Sequence, residues 1–223
     1  MITIKPTGGL CNRLRVISSY NEHAKNKKQK LIIVWRKDIN CNGNYTDYFA
    51  PLPNVDFVYD EYNKQINYCG YSALYRVTNY QCLKLLPHMI DIINDKRKLL
   101  ENNYIAIHAR RTDHIEVAKR RGRYTSDEDF FKFIDKHKNN AKYLYIATDN
   151  KDTYDIFKNK YSEMIIFPYH DELPGKRKTT LHDAIIDLYM CIFSNYFQFS
   201  GQSSFSDVIL QIRKNQDINH LFD

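Results

Sequence analysis

Short apolar runs alternate with stretches of helical periodicity along the whole chain. Met1 to Lys5 reads as a strand and Gly8-Gly9 as a turn. Leu10, Leu14, Ile17 and Ala24 then fall on one face of a helix. Lys30 to Trp35 has the pattern of a buried strand, and Val55 to Tyr59 that of another short one. Residues 63–80 carry no clear period, and a helix is predicted from Pro87 to Leu100. The later pattern is cleaner, with strands predicted over 104–109, 143–147, 164–167 and 196–200. Helices are predicted between and after them over 126–138, 153–160, 180–193 and 203–214. Ser126 with Asp129, and Thr180 with Asp183, have the spacing of a capping box.

Strand–helix alternation of this kind builds parallel sheets joined by crossover helices. The pattern restarts after the polar turn Glu101-Asn102-Asn103. The expected fold is therefore α/β, with two Rossmann-like halves, 1–101 and 102–223, facing a cleft. Ligands of open α/β sheets bind at the carboxyl ends of the strands, and the polar motifs fall there.

His108-Ala109-Arg110-Arg111-Thr112-Asp113 leaves a buried strand at that end. Neighbouring residues on a strand point to opposite faces, so one arginine can reach a ligand while the other pairs with a carboxylate such as Asp113. The planar fork of arginine suits a diphosphate; a salt-bridged strand end is the alternative. Tyr145-Ile146-Ala147-Thr148-Asp149-Asn150 ends a second strand, where Asp149 is either a ligand for a sugar hydroxyl or the N-cap of the next helix. Asp187 is the one charged residue between Ala184 and Phe193. A buried carboxylate needs a partner or a cleft, so Asp187 either pairs with Arg110 or Arg111 or accepts from the N1–H and 2-amino groups of guanine. Ser200-Gly201-Gln202-Ser203-Ser204 is a strand–turn–helix junction suited to an anion, with simple capping as the alternative. Gly8-Gly9-Leu10-Cys11-Asn12-Arg13 is a looser glycine turn that places Asn12 and Arg13 at the cleft or at the surface. Lys119-Arg120-Arg121-Gly122-Arg123 reads as a basic loop, either solvated or a flap over an anionic ligand.

Composition adds limits. The 223 residues carry a net charge of +7, which favours an anionic partner. No RRM, KH or zinc-finger signature supports nucleic acid. The five cysteines form no CxxC pair, and no histidine spacing suits a metal. Asp127-Glu128-Asp129 sits where a helix begins, so its acids suit the macrodipole better than a metal ion. No apolar run is long enough to span a membrane and the N-terminus is not a signal peptide, so a reducing, cytoplasmic setting is expected.

Three blocks together resemble the fucosyltransferase superfamily, and within it the α1,6-fucosyltransferases. They are 108–113, 145–150, and the stretch from Ile185-Ile186-Asp187-Leu188 to Ser203-Ser204. Gly8-Gly9-Leu10-Cys11-Asn12-Arg13-Leu14 resembles the first motif of related enzymes more loosely. The resemblance implies a GT-B-like fold and an inverting, metal-independent transfer from GDP-fucose to a glycan or other hydroxyl acceptor, with no resident cofactor. It implies that His108 and Asp187 hold guanine, that Arg110, supported by Arg111, binds the β-phosphate, and that Ser203 and Ser204 bind the diphosphate. Asp149, Gly9 and Asn12 are assigned to the same donor site. The family's acidic base aligns with Ala118; Glu116 is the nearest carboxylate and Asp113 the reserve. Three alternatives stand beside this reading. One is transfer of another sugar, one is silent GDP-sugar binding, and one is nucleic-acid binding driven by the net charge.

Overall fold

The computed structural model describes residues 1–59, 62–112, 115–170 and 179–215. The chain divides into two compact units, one of Met1–Ile90 with Gln211–Asp223 and one of Asp91–Leu210. These bounds differ from the break expected after residue 101. The helix Pro87–Leu99 sits mostly in the second unit, and the chain from Gln211 clusters with the first.

The first unit holds β1 (Ile2–Pro6), α1 (Leu10–Asn26), β2 (Leu31–Val34), β3 (Val55–Val58) and β4 (Tyr68–Gly70), followed by α2 (Pro87–Leu99), which runs across the division. The second holds β5 (Tyr104–Ala109), α3 (Ile115–Arg120), α4 (Asp127–His137), β6 (Tyr143–Thr148), α5 (Lys151–Lys160), β7 (Ile165–Ile166), α6 (Leu181–Phe193) and β8 (Tyr196–Phe199). Helix α7 (Ser204–Lys214) follows and crosses the other end of the division.

Each unit has one four-stranded sheet, ordered β3-β2-β1-β4 and β7-β6-β5-β8, and every strand pair is parallel. The two orders are the same topology used twice. The chain builds outward from the first strand, then returns to pair with its other edge. Such a reversal leaves a crevice at the carboxyl ends of the two strands beside it, β1 with β4 and β5 with β8.

Strands β2, β5 and β6 are buried along their whole length, which explains their nearly unbroken apolar runs. On one face of the second sheet, Ile105, Ile107, Leu144 and Ile146 pack with Phe130 and Ile134 of α4 and Phe157 of α5. The opposite face takes α6, where the Tyr104 hydroxyl donates to the carbonyl of Met190 at 2.8 Å. Helix α6 is buried at Ile185, Ile186, Leu188, Tyr189, Met190 and Cys191, and Thr180 caps it by accepting from the Asp183 amide. Ser126 and Asp129 form the expected capping box of α4.

Three elements differ from expectation. Strand β4 forms inside the aperiodic stretch, from only three residues. Lys119 and Arg120 belong to helix α3 instead of a loop. Helix α5 begins at Lys151, capped by Asn150, whose side chain accepts from the Thr153 amide. Among the described residues, no helix is long and apolar enough to cross a membrane.

Candidate functional site

The crevice between β5 and β8 is stitched shut beneath its floor. The Ser200 amide donates to the His108 carbonyl at 2.8 Å, and the Arg110 amide donates to Ser200 Oγ at 2.9 Å. Ser206 Oγ donates to the Ser200 carbonyl at 3.0 Å and lies 2.8 Å from His108 Nδ1. The hydroxyl has one proton and gives it to Ser200, so His108 Nδ1 is the donor to Ser206. The ring packs against Phe205 with centroids 4.7 Å apart. Burial, then the charges of Arg110 and Arg111, push its pKa down to about 3. His108 is thus a neutral strut between β5 and α7.

The two adjacent arginines part as strand geometry requires. Arg111 donates through Nε and Nη2 to Asp127 Oδ1 at 3.2 and 2.5 Å, and its guanidinium lies 5.4 Å from the ring centres of both Tyr124 and Phe130. The expected carboxylate partner, Asp113, lies outside the described residues; the observed partner is Asp127, at the start of α4. The Arg111 side chain is only 8% exposed and is paired with Asp127. Arg110 lines a small pocket with Ile115, Ala118, Thr125, Ser200 and Gly201.

Asp149 anchors the segment after β5. Its Oδ1 accepts from the Arg111 amide at 2.8 Å and its Oδ2 from the Thr112 hydroxyl at 2.5 Å. It therefore clamps the loop, while Asn150 and not Asp149 caps α5. On α3, Ile115 and Ala118 face the Arg110 pocket, three residues apart. Glu116 is 80% exposed, 3.6 Å from Lys119, and does not line that pocket.

The basic segment closes one side of the crevice. Arg121 donates to Gln202 Oε1 at 2.9 Å, and Thr125 Oγ1 accepts from the Gly201 amide at 3.1 Å. A Cβ at Gly201 would collide with the carbonyl oxygen of Arg123, so only glycine fits this approach. At the start of α7, Ser203 is 2% exposed and its Oγ, itself buried, has no hydrogen-bond partner among the described residues. Ser204 is the first residue of that helix. A buried hydroxyl without a partner costs free energy, and at a helix start it stands beside free backbone N–H groups.

Asp187 lies on the same face of the sheet as His108 and Tyr104. Tyr145 of β6 donates to its Oδ1 at 2.7 Å. Neither Arg110 nor Arg111 pairs with it, so the alternative of a salt bridge to those arginines is set aside. Burial raises its pKa to about 6 against the opposing pull of His170, Tyr145 and Lys96. Asp187 lines a cavity of about 590 Å³ with Lys96, Tyr145, Phe167, His170 and Asp183. His108 does not line it.

The corresponding turn of the first unit, after β1, is built around Arg13, which is 1% exposed. Its guanidinium donates to the carbonyls of Gly8 and Arg36 at 2.8 and 2.6 Å and to Asp38 Oδ2 at 2.7 Å, above the Trp35 ring. Arg13 is thus a core strut, which neither a cleft nor a surface placement anticipated. Sequence missed it because Trp35 and Asp38 lie in the segment after β2 and meet Arg13 only in the folded chain. Gly9 is the N-cap of α1 and makes no side-chain cap; Asn12 accepts from Arg15 at 2.7 Å. Among the described residues, no group of three or more His, Cys, Asp or Glu is arranged to hold a metal ion.

No family model and no curated protein sequence matches the chain. Solved structures do. The fucosyltransferase NodZ from Bradyrhizobium is similar over 93% of this chain and 91% of its own, at 13% identity and a TM-score of 0.64. POFUT1 in its apo form is similar over 96% and 94%, at 12% identity and a TM-score of 0.67. FUT1 of Arabidopsis thaliana, a variant in complex with GDP, is similar over 95% and 68%, at 10% identity and a TM-score of 0.61. The chain therefore has the GT-B-like fold of these fucosyltransferases.

Proposed function

We propose that the chain is a glycosyltransferase that moves fucose from GDP-fucose to a hydroxyl of a glycan or other acceptor, with inversion and without a metal. The observation that carries this reading is a pair of separate polar sites within the second unit. Arg110 and the start of α7 with its unpartnered Ser203 suit a diphosphate, and Asp187 faces a cavity of about 590 Å³ that suits a base. NodZ and POFUT1, whose fold the chain shares, have been solved with GDP-fucose.

In this reading Asp187 accepts from the N1–H and 2-amino groups of guanine. Ser203, Ser204 and the first amides of α7 hold the diphosphate. Departure of GDP builds negative charge on the β-phosphate, and a fixed guanidinium gains strength as that charge grows. Arg110 takes this role, the one a divalent ion plays elsewhere. Asp149 and Arg111 act indirectly, by fixing the segment that carries Arg110. Gly9 and Asn12, at the equivalent turn of the first sheet, are assigned to substrate contact as well.

Release of GDP from GDP-fucose in the presence of glycan acceptors tests the reading. It should persist in EDTA and give a product of inverted anomeric configuration. Loss on chelation, with recovery on adding manganese, contradicts the metal-independent mechanism. A second reading, a GDP-sugar binder without turnover, is favoured by Ala118 on the Arg110 wall where the family's base aligns. It predicts tight GDP-fucose binding with no GDP release in the same assay.

A further inference from the structure

The cavity at Asp187 contains two polar groups that the protein leaves open. Asp187 Oδ1 is taken by Tyr145, and Oδ2 has no hydrogen-bond partner among the described residues. Lys96, in the last turn of α2, holds its Nζ 4.5 Å from the centre of the Phe167 ring and has no hydrogen-bond acceptor among the described residues. The other polar side chains of the wall are engaged. Thr180 and Asp183 cap α6 for each other at 2.6 and 3.0 Å. His170 stacks on Tyr169 with centroids 4.4 Å apart and has Thr179 3.5 Å from Nε2. One open carboxylate oxygen and one open ammonium line a single cavity, and the lysine charge acts on the aspartate.

That pair sets one donor and one acceptor on the wall of one cavity. Guanine presents O6 as an acceptor beside N1–H and a 2-amino group as donors. Adenine presents a 6-amino donor beside an N1 acceptor, which would set like against like at both positions. We propose that Lys96 is a specificity-determining residue, donating from Nζ to O6 of the guanine whose N1–H and 2-amino group Asp187 accepts from. Phe167 keeps the ammonium at the rim by a cation–π contact, so little side-chain freedom is lost when the base enters. The inference rests on the guanine reading of the site. A site built to hydrogen-bond one edge rejects the analogue lacking it, because its own buried groups are then left unpaired.

The test is titration calorimetry of the full chain with GDP, IDP and ADP, for the wild type, Lys96→Met and Lys96→Arg. Hypoxanthine keeps O6 and N1–H but lacks the 2-amino group. Lys96→Met should weaken GDP and IDP by the same factor, about tenfold or more, and leave ADP nearly unchanged. Lys96→Arg, which keeps a cationic donor, should retain most of the preference and guards against a merely misfolded variant. If the wild type prefers GDP over ADP and Lys96→Met keeps that preference intact, Lys96 does not read the base. Equal weakening of all three nucleotides also overturns the proposal, since it means that the lysine only attracts phosphate. A wild type with no preference between GDP and ADP defeats the guanine reading itself.

Discussion

Arg111 holds its guanidinium against Asp127, Tyr124 and Phe130, while Arg110 borders the pocket between the ends of β5 and β8. Their alternation was legible from strand geometry. The partner of Arg111 was not, because Asp127 lies on another element and comes near only when α4 packs. Arg110→Ala should cut kcat by about 10²–10³, and Arg110→Lys should not restore it, because lysine lacks the planar fork. Single-turnover GDP release measures this, and wild-type turnover in Arg110→Ala would remove Arg110 from the chemistry. Asp187 and His108 give the pH dependence. The Asp187 pKa is raised from 3.8 to about 6, so its carboxylate, and with it GDP affinity, should be lost as pH falls through about 6. In the ligand-free protein the sign is opposite: ionising Asp187 costs stability, and that cost grows as pH rises from 3.8 to about 6. His108, lowered from 6.5 to about 3, stays neutral in the folded state, so it destabilises the fold as pH drops below 6.5. GDP affinity measured between pH 5 and 8 should therefore fall on the acid side in the wild type and stay flat in Asp187→Asn.

The β8–α7 turn and the segment that follows helix α3 form one wall of the crevice through backbone contact. Gly201 lies so close to the Arg123 carbonyl that no side chain fits, and Thr125 Oγ1 accepts from its amide. Gly201→Ala must push the segment around Arg123 away, a clash of the kind that costs about 1–3 kcal/mol. Its Tm should fall by several degrees and its GDP affinity should drop with it. Gly122→Ala is the comparison: its φ of +61° carries a left-handed strain, but a Cβ there meets nothing within 4 Å. A Gly201→Ala protein as stable as Gly122→Ala would mean that the wall yields freely. The long amphipathic and apolar elements, α4, α6, β5 and β6, were legible because burial fixes their period. Strand β4 was not, since three residues cannot show a period of two. Helix α3 hid behind its run of lysine and arginine, which reads as loop until Ala118 and Ile115 are seen to face inward.

At the scale of the whole chain, the same parallel strand order occurs in both units, and Arg110 and the Ser200–Gly201 turn lie at the carboxyl ends of β5 and β8, where that order reverses in the second. The fold class was legible from alternation, because parallel sheets need crossover helices. Other roles needed the tertiary structure: Asp149 as a clamp, His108 as a strut and Arg13 as a core residue each depend on partners distant in sequence. The central claim is a guanine diphosphate site in the second unit, and ligand-dependent thermal unfolding tests it most directly. A ligand present at one hundred times its Kd stabilises the folded state by about 2.7 kcal/mol. GDP and GDP-fucose should therefore raise the Tm by several degrees, while UDP, ADP and CMP at the same concentration leave it nearly unchanged. Equal shifts with all five nucleotides, or none with GDP, would contradict the account.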